Sequence, residues 1–274
     1  MMRKLFLLLC AVWIVSSQRT HLIADGNSAG TYGLLNRILG GTANSPSYEV
    51  PDCVHPIQHI TQQVDTELGA PVFVFHSHVD LDNDRCRVFD RLRTEIKTHN
   101  PSPDFLKGFY GETVSYSWDF KLDAQFQPAT SFTHIFQVKA VGGEDSQPFI
   151  TITPRLTSVG TTLLQLIHSG FNSAQSTIWQ GPLANFLGRW IHVEVEYLCA
   201  VAGRFHMTMT RKDTGQQLMT FTSNNIEMWR TGNTFQRPKW GVYRSLNNRA
   251  SLRDERAFFN NFCLAKHPYR CITN

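Results

Sequence analysis

From Val72 onward the chain is written almost entirely in short stretches of alternating apolar and polar residues. No other feature limits its fold as strongly. Alternation with a period of two marks a β-strand that buries one face. Eleven such strands are expected, at 72–78, 92–98, 112–121, 132–141, 149–153, 162–168, 190–197, 204–211, 217–221, 239–243 and 257–265. Turn residues separate them: Asn100-Pro101, Gly142-Gly143, Gly170, Gly203 and Asp213-Thr214-Gly215. Helix is nearly absent. Thr31–Leu39 has a short helical reading, closed by Gly40-Gly41. Many short strands with little helix predict an all-β fold, a two-sheet antiparallel β-jelly roll.

Residues 1–17 read as a secretory signal peptide. Arg3 and Lys4 give a basic start, and the apolar run 5–15 is too short to cross a bilayer. Val15 and Ser17 precede a cleavage point before Gln18. Residues 18–274 show no repeat or linker and are expected to form a single domain, secreted as a monomer and not held by a membrane. Six cysteines are present, of which Cys10 leaves with the signal. Secretion favours disulfides. Cys53–Cys86 and Cys263–Cys271 are the economical pairs, with Cys199 left free, although spacing does not fix connectivity. No Cys/His spacing suggests zinc. The formal charge of +4 drops to about +2 without Arg3 and Lys4, too little for a general attraction to nucleic acid. A basic site, if present, is local.

Three strands carry such a site. Thr133-His134-Ile135-Phe136-Gln137-Val138-Lys139 places Gln137 and Lys139 on one face, about 6–7 Å apart. His134 falls on the opposite face and is expected in the core or packed under a loop. Arg91-Leu92-Arg93-Thr94-Glu95-Ile96-Lys97-Thr98-His99 puts Arg91, Arg93, Glu95, Lys97 and His99 together. This is either a solvated face or a carboxylate-binding one, since a guanidinium fork matches a carboxylate. In Arg237-Pro238-Lys239-Trp240-Gly241-Val242-Tyr243-Arg244-Ser245, Lys239, Gly241 and Tyr243 share a face, with Gly241 expected to lower the wall of a groove. His76 and His78 share a face of the 72–78 strand, which is either an ordinary surface strand or one that joins the groove. Asp80, Asp82, Asn83 and Asp84 form an oxygen-rich loop, either a solvated turn or a structural calcium site, without a complete EF-hand pattern. No other cofactor is implied.

Taken in order, these strands resemble the motifs of jelly-roll polysaccharide lyases of the alginate-lyase type, within the concanavalin-like sandwiches. Arg93-Thr94-Glu95-Ile96-Lys97 resembles R-(S/T)-E-L-R, Gln137-Val138-Lys139 resembles Q-(I/V)-H, and Lys239-Trp240-Gly241-Val242-Tyr243 resembles K-A-G-x-Y. Glucuronan lyases and heparin-lyase-like sandwiches are similar too. The resemblance spans about 72–266. It implies β-elimination on an anionic, uronate-containing polysaccharide. Gln137 and Arg93 would neutralise the sugar carboxylate and Tyr243 would move protons. Lys139 would be the base, or it would only bind charge while His99 or Tyr243 takes the proton, and Lys97, Lys239, Arg91, His76 and His78 would bind substrate. Two positions depart from the pattern: Lys139 replaces the family histidine and Lys97 its last arginine. A lysine serves as a base only where burial or nearby cations lower its pKa.

Two rival readings use the same fold. A glycoside hydrolase needs two carboxylates flanking the bond, and Glu194 with Glu196 is the close acidic pair on one strand face. A lectin-like binding module would use the basic groove with Trp179, Trp229 and Trp240 for stacking, without turnover.

Overall fold

The computed structural model describes residues 19–272, so the signal reading of 1–17 lies outside it. The chain opens with β1 (Arg19–Leu22), α1 (Thr31–Leu39), β2 (Tyr48–Glu49), β3 (Ile60–Asp65), β4 (Ala70–Ser77) and β5 (Arg91–Lys97). It continues with β6 (Thr113–Leu122), β7 (Thr133–Val141), β8 (Ile150–Leu156), β9 (Thr162–Ser169) and β10 (Gln175–Pro182). The last strands are β11 (Ile191–Leu198), β12 (Gly203–Arg211), β13 (Gln217–Ile226), β14 (Phe235–Ser245) and β15 (Glu255–Lys266).

These strands form two antiparallel sheets. One runs β13-β12-β11-β6-β15-β4-β3, with β1 on β15, and the other β10-β9-β8-β7-β14-β5-β2. Alternation decides which side chains meet between them. On β11, Ile191, Val193, Val195 and Tyr197 are buried while His192, Glu194 and Glu196 stay half-buried. Aromatic rings from both sheets interlock at the centre. Trp118 of β6 stacks on Phe136 of β7 at 4.4 Å between centroids and meets Trp240 of β14 edge-on at 5.7 Å. Each such pair contributes about 0.5–1.5 kcal/mol beyond its buried area.

The helix forms over the expected residues. Leu34, Leu35 and Leu39 are buried, and Gly40 ends the helix at φ 78°, its N–H bonded to the Asn36 carbonyl. Both expected disulfides form, Cys53–Cys86 and Cys263–Cys271, and Cys199 is a buried free thiol. Four strands escaped the alternation test: β1, β2, β3 and β10. β2 has two residues, β3 reads Ile-Thr-Gln-Gln-Val-Asp, and β10 is an edge strand exposed along most of its length. Each is too short, too polar or too uncovered to carry a period-two apolar signal.

Candidate active site

Strands β7, β14 and β5 are neighbours in the seven-stranded sheet, with β14 in the middle. Register places Lys239 between Gln137 and Lys97, and Tyr243 between His134 and Arg93. On the face turned away from the core, Arg93, Gln137, Lys139 and Tyr243 line one cleft of about 380 Å³. Arg91, His134 and Arg155 complete its polar wall, and Phe132 and Pro148 add apolar surface.

Under this cleft lies a buried charge cluster. Arg93 donates Nε and Nη2 to the two Asp84 oxygens at 2.8 and 3.1 Å, and Nη1 to Glu95 at 2.7 Å and Glu49 at 3.2 Å. Lys239 pairs with Glu49 at 2.5 Å and Glu95 at 2.6 Å, while Lys97 and Arg85 reach Glu49 from its other side. Burial alone would raise the Glu49 pKa. Lys239, Arg93, Lys97 and Arg85 outweigh it and hold the carboxyl well below its usual range. The same carboxylates overcome the burial of Arg93 and raise its pKa. Gln137 enters the network by donating its amide N–H to Glu95, a bond that fixes the orientation of the amide.

Tyr243 stands on this cluster. Its ring centre lies 3.6 Å from the Arg93 guanidinium carbon, a stacked cation–π contact. Its hydroxyl oxygen accepts a hydrogen bond from Arg91 at 3.1 Å, and Asp90 holds Arg91 in turn. The oxygen is therefore engaged while its proton stays free for another acceptor. Lys139 is half-buried and donates to the carbonyls of Asp145 and Ser146 at 2.7 and 3.2 Å. Burial, with Lys239 next, lowers its pKa to about 8.

His134 faces the cleft, contrary to its predicted place in the core or under a loop. The reason is a β-bulge. Trp240 pairs with Phe136 and Tyr243 with His134, so Gly241 and Val242 together oppose Ile135. The slip turns His134 to the side of Tyr243, with ring centroids 6.0 Å apart. Nδ1 of His134 contacts the Thr153 hydroxyl at 2.8 Å, and burial lowers its pKa to about 3, so the ring is neutral. Gly241 makes the bulge. Its φ is +137°, and a Cβ there would clash with the Thr94 carbonyl and come within 2.8 Å of the Glu95 Cα. The glycine therefore serves the close approach of β5, and not a lowered groove wall. An isolated glycine inside a strand pattern was the available signal.

The sequence matches no protein-family profile and no curated protein. Solved structures do match. Alginate lyase Aly36B aligns with a TM-score of 0.58 at 11% identity, over 91% of this chain and 97% of its own. The endo-β-1,4-glucuronan lyase of the fungus Trichoderma reesei aligns at 0.52 and 14%, over 82% and 93%. A family 7 alginate lyase solved in complex with substrate aligns at 0.51 and 12%, over 77% and 82%. The fold is that of the alginate and glucuronan lyases. At these identities the likeness is one of fold, and the chemistry has to be argued from the side chains.

Within this lyase fold the other predicted site residues take different places. Lys239 is 1% exposed and spent on Glu49 and Glu95, so it does not reach the cleft. Lys97 borders a separate hollow beside Glu49 and Arg85. Arg93 contributes to the cleft wall, but its fork is already filled by three carboxylates. His99 is 6% exposed, held between the Ser45 carbonyl and Ser102, outside the cleft. His76 ends up in the other sheet, bonded to Thr61, and His78 follows it beside Asp82. The two-sheet arrangement thus keeps both from the groove that their shared strand face could have joined. The oxygen-rich loop is also dispersed. Asp84 binds Arg93, Asn83 takes the Cys86 N–H, Asp82 meets three histidines, and Asp80 is exposed. Three of the four side chains in this loop are thus engaged by partners within the protein. Glu194 and Glu196 lie on β11 in the other sheet, with Glu196 paired to Arg270, remote from the cleft.

Proposed function

We propose that this protein cleaves a uronate-containing polysaccharide by β-elimination in the cleft over β7, β14 and β5. The observation that carries the reading is the convergence of the Gln137 amide, the Lys139 ammonium and the Arg91-bound Tyr243 hydroxyl in one cleft. Elimination needs a uronate carboxylate neutralised, a C5 proton removed and a leaving oxygen protonated. Lys139 suits the first task. Its two carbonyl acceptors favour the ammonium form, and below about pH 8 it carries the charge. Gln137, oriented by Glu95, is the neutral donor beside it. Tyr243 is the proton-transfer group, with Arg91 in place to hold its oxygen when the proton has left. Arg93 supports that ring, its fork already held by three carboxylates.

This assignment departs from a lysine base, because a base needs a free lone pair. The hydrolase alternative has little support, since no Asp or Glu is among the described residues that line the cleft. Binding without turnover has one observation in its favour, the lysine at position 139 where the resemblance has a histidine. The test is to incubate purified protein with glucuronan, alginate, pectate and glycosaminoglycans and follow ultraviolet absorbance of an unsaturated product. Product from at least one uronate polymer supports the lyase. Saturable binding with no product from any of them removes it in favour of the binding module.

A further inference from the structure

The loops behind the charge cluster bring together a second set of side chains. His55 lies in the loop before β3, His59 directly precedes that strand, His78 directly follows β4, and Asp82 comes four residues later. Their ligand atoms all lie within 4.8 Å of one another. His59 is 0% and Asp82 2% exposed. Oδ1 of Asp82 faces His55 Nδ1 and His59 Nε2, each at 2.9 Å, and Oδ2 faces His78 Nδ1 at 3.1 Å. The three imidazoles meet edge-on, with centroids 4.8 to 5.3 Å apart.

We propose that His55, His59, His78 and Asp82 form a structural zinc site. Tetrahedral zinc with bonds of about 2.0–2.1 Å keeps its ligand atoms about 3.3 Å apart. The three carboxylate–imidazole spacings are already close to that edge, and only the imidazoles need draw inward. A tier of supporting contacts stands behind the ligands. The other nitrogen of His59, Nδ1, bonds Asp52 at 2.6 Å, and Asp52 in turn accepts the Tyr32 hydroxyl at 2.7 Å. This is the carboxylate–histidine–metal relay that fixes tautomer and ring orientation in metal sites. Without a cation, His59 needs protons on both nitrogens to satisfy two carboxylates. With one, it is neutral and needs only Nδ1–H.

The donor set selects the metal. Three imidazoles and one carboxylate suit zinc, whereas calcium and magnesium call for oxygen ligands throughout. Four protein ligands leave no open position, so the site is structural. It would join the loop carrying His55 to the loop carrying Asp82, the same two loops that Cys53–Cys86 crosslinks. Two residues past Asp82, Asp84 grips Arg93 beneath Tyr243. The ion would thus brace the wall that holds the cleft's tyrosine. The sequence pattern is His-x-x-x-His followed by His-x-x-x-Asp, at 55/59 and 78/82. A search for cysteine-containing spacings passes over it.

The experiment uses the whole chain. The protein is stripped with a chelator, equilibrated with zinc chloride, freed of excess metal by gel filtration and assayed by mass spectrometry of the metal. One zinc retained per chain, a higher Tm than the stripped protein, and the strong visible absorption of tetrahedral cobalt(II) after exchange are expected. Asp52→Asn, outside the ligand set, should weaken zinc binding about 10–100-fold. His55→Gln and His78→Gln, checked for folding by near-ultraviolet circular dichroism, should lose it further. Wild-type protein that retains no zinc overturns the proposal, as does a folded His55→Gln, His78→Gln double variant that retains zinc and the cobalt spectrum unchanged.

Discussion

The guanidinium of Arg93 lies 3.6 Å beneath the centre of the Tyr243 ring, and three carboxylates hold it there. An arginine that a linear motif offers to the substrate is therefore used to carry the tyrosine that lines the cleft. This pairing separates the roles of the two side chains and sets up the first two tests.

Tyr243→Phe keeps the stacked ring and removes only the hydroxyl that Arg91 holds. Turnover should drop about 10²–10⁴-fold, the usual value of a positioned proton-transfer group. Stability and substrate binding should change little. Turnover that survives at the wild-type level would exclude Tyr243 from the chemistry.

Arg93→Met removes one member of a buried ion cluster and leaves Asp84, Glu49 and Glu95 short of a partner. Losing one side of a buried pair typically costs about 3–5 kcal/mol. Urea denaturation should show a loss of that order. A change under about 1 kcal/mol would mean that solvent or Lys239 compensates for the missing cation.

Lys139 titrates at about pH 8 in the folded protein. As holder of the substrate carboxylate it acts when protonated, so kcat/KM should fall as pH rises through that value. Lys139→Arg should shift the fall to higher pH, and Lys139→Ala should lower kcat/KM at neutral pH and remove the transition. A rate that instead climbs through about pH 8 would make Lys139 the base.

His134 is neutral in the fold, its pKa lowered to about 3 by burial against an ordinary value of 6.5. Between these values the unfolded chain binds the proton and the folded one does not. Stability from this group is thus complete above about pH 6.5 and is lost as pH falls, at up to about 1.4 kcal/mol per unit. His134→Gln should flatten the acid side of the stability–pH curve. Curves of equal slope for variant and wild type would contradict the burial of a neutral imidazole.

Gly241→Ala places a Cβ against the Thr94 carbonyl at a φ of +137°. Strain of this kind costs about 1–3 kcal/mol, and relief requires β14 to move from β5. Thermal unfolding should show the loss, and activity should fall further than stability because Tyr243 sits two residues on. A variant as stable as wild type would mean that the bulge tolerates a side chain.

Alternation by itself determined the class of fold, since a period of two along most of the chain fits a pair of sheets and little else. It also determined that the faces carrying Arg93, Gln137 and Tyr243 are polar, and glycine at the helix end fixed where α1 stops. Partners were decided by tertiary structure. Arg93 was legible as a cation, but its commitment to the interior needs the loop carrying Asp84 and, from distant sequence, the short strand carrying Glu49, beside its strand neighbour Glu95. His134 was assigned the wrong face because parity holds only in a regular ladder, and the bulge opposite Gly241 and Val242 breaks it. His99, His76 and His78 were placed by strand parity near a groove from which the fold keeps them. The His55, His59, His78 and Asp82 cluster shows the same limit. Local backbone preference is written residue by residue, whereas the meeting of charged side chains depends on which strands pair, and that is a property of the whole fold.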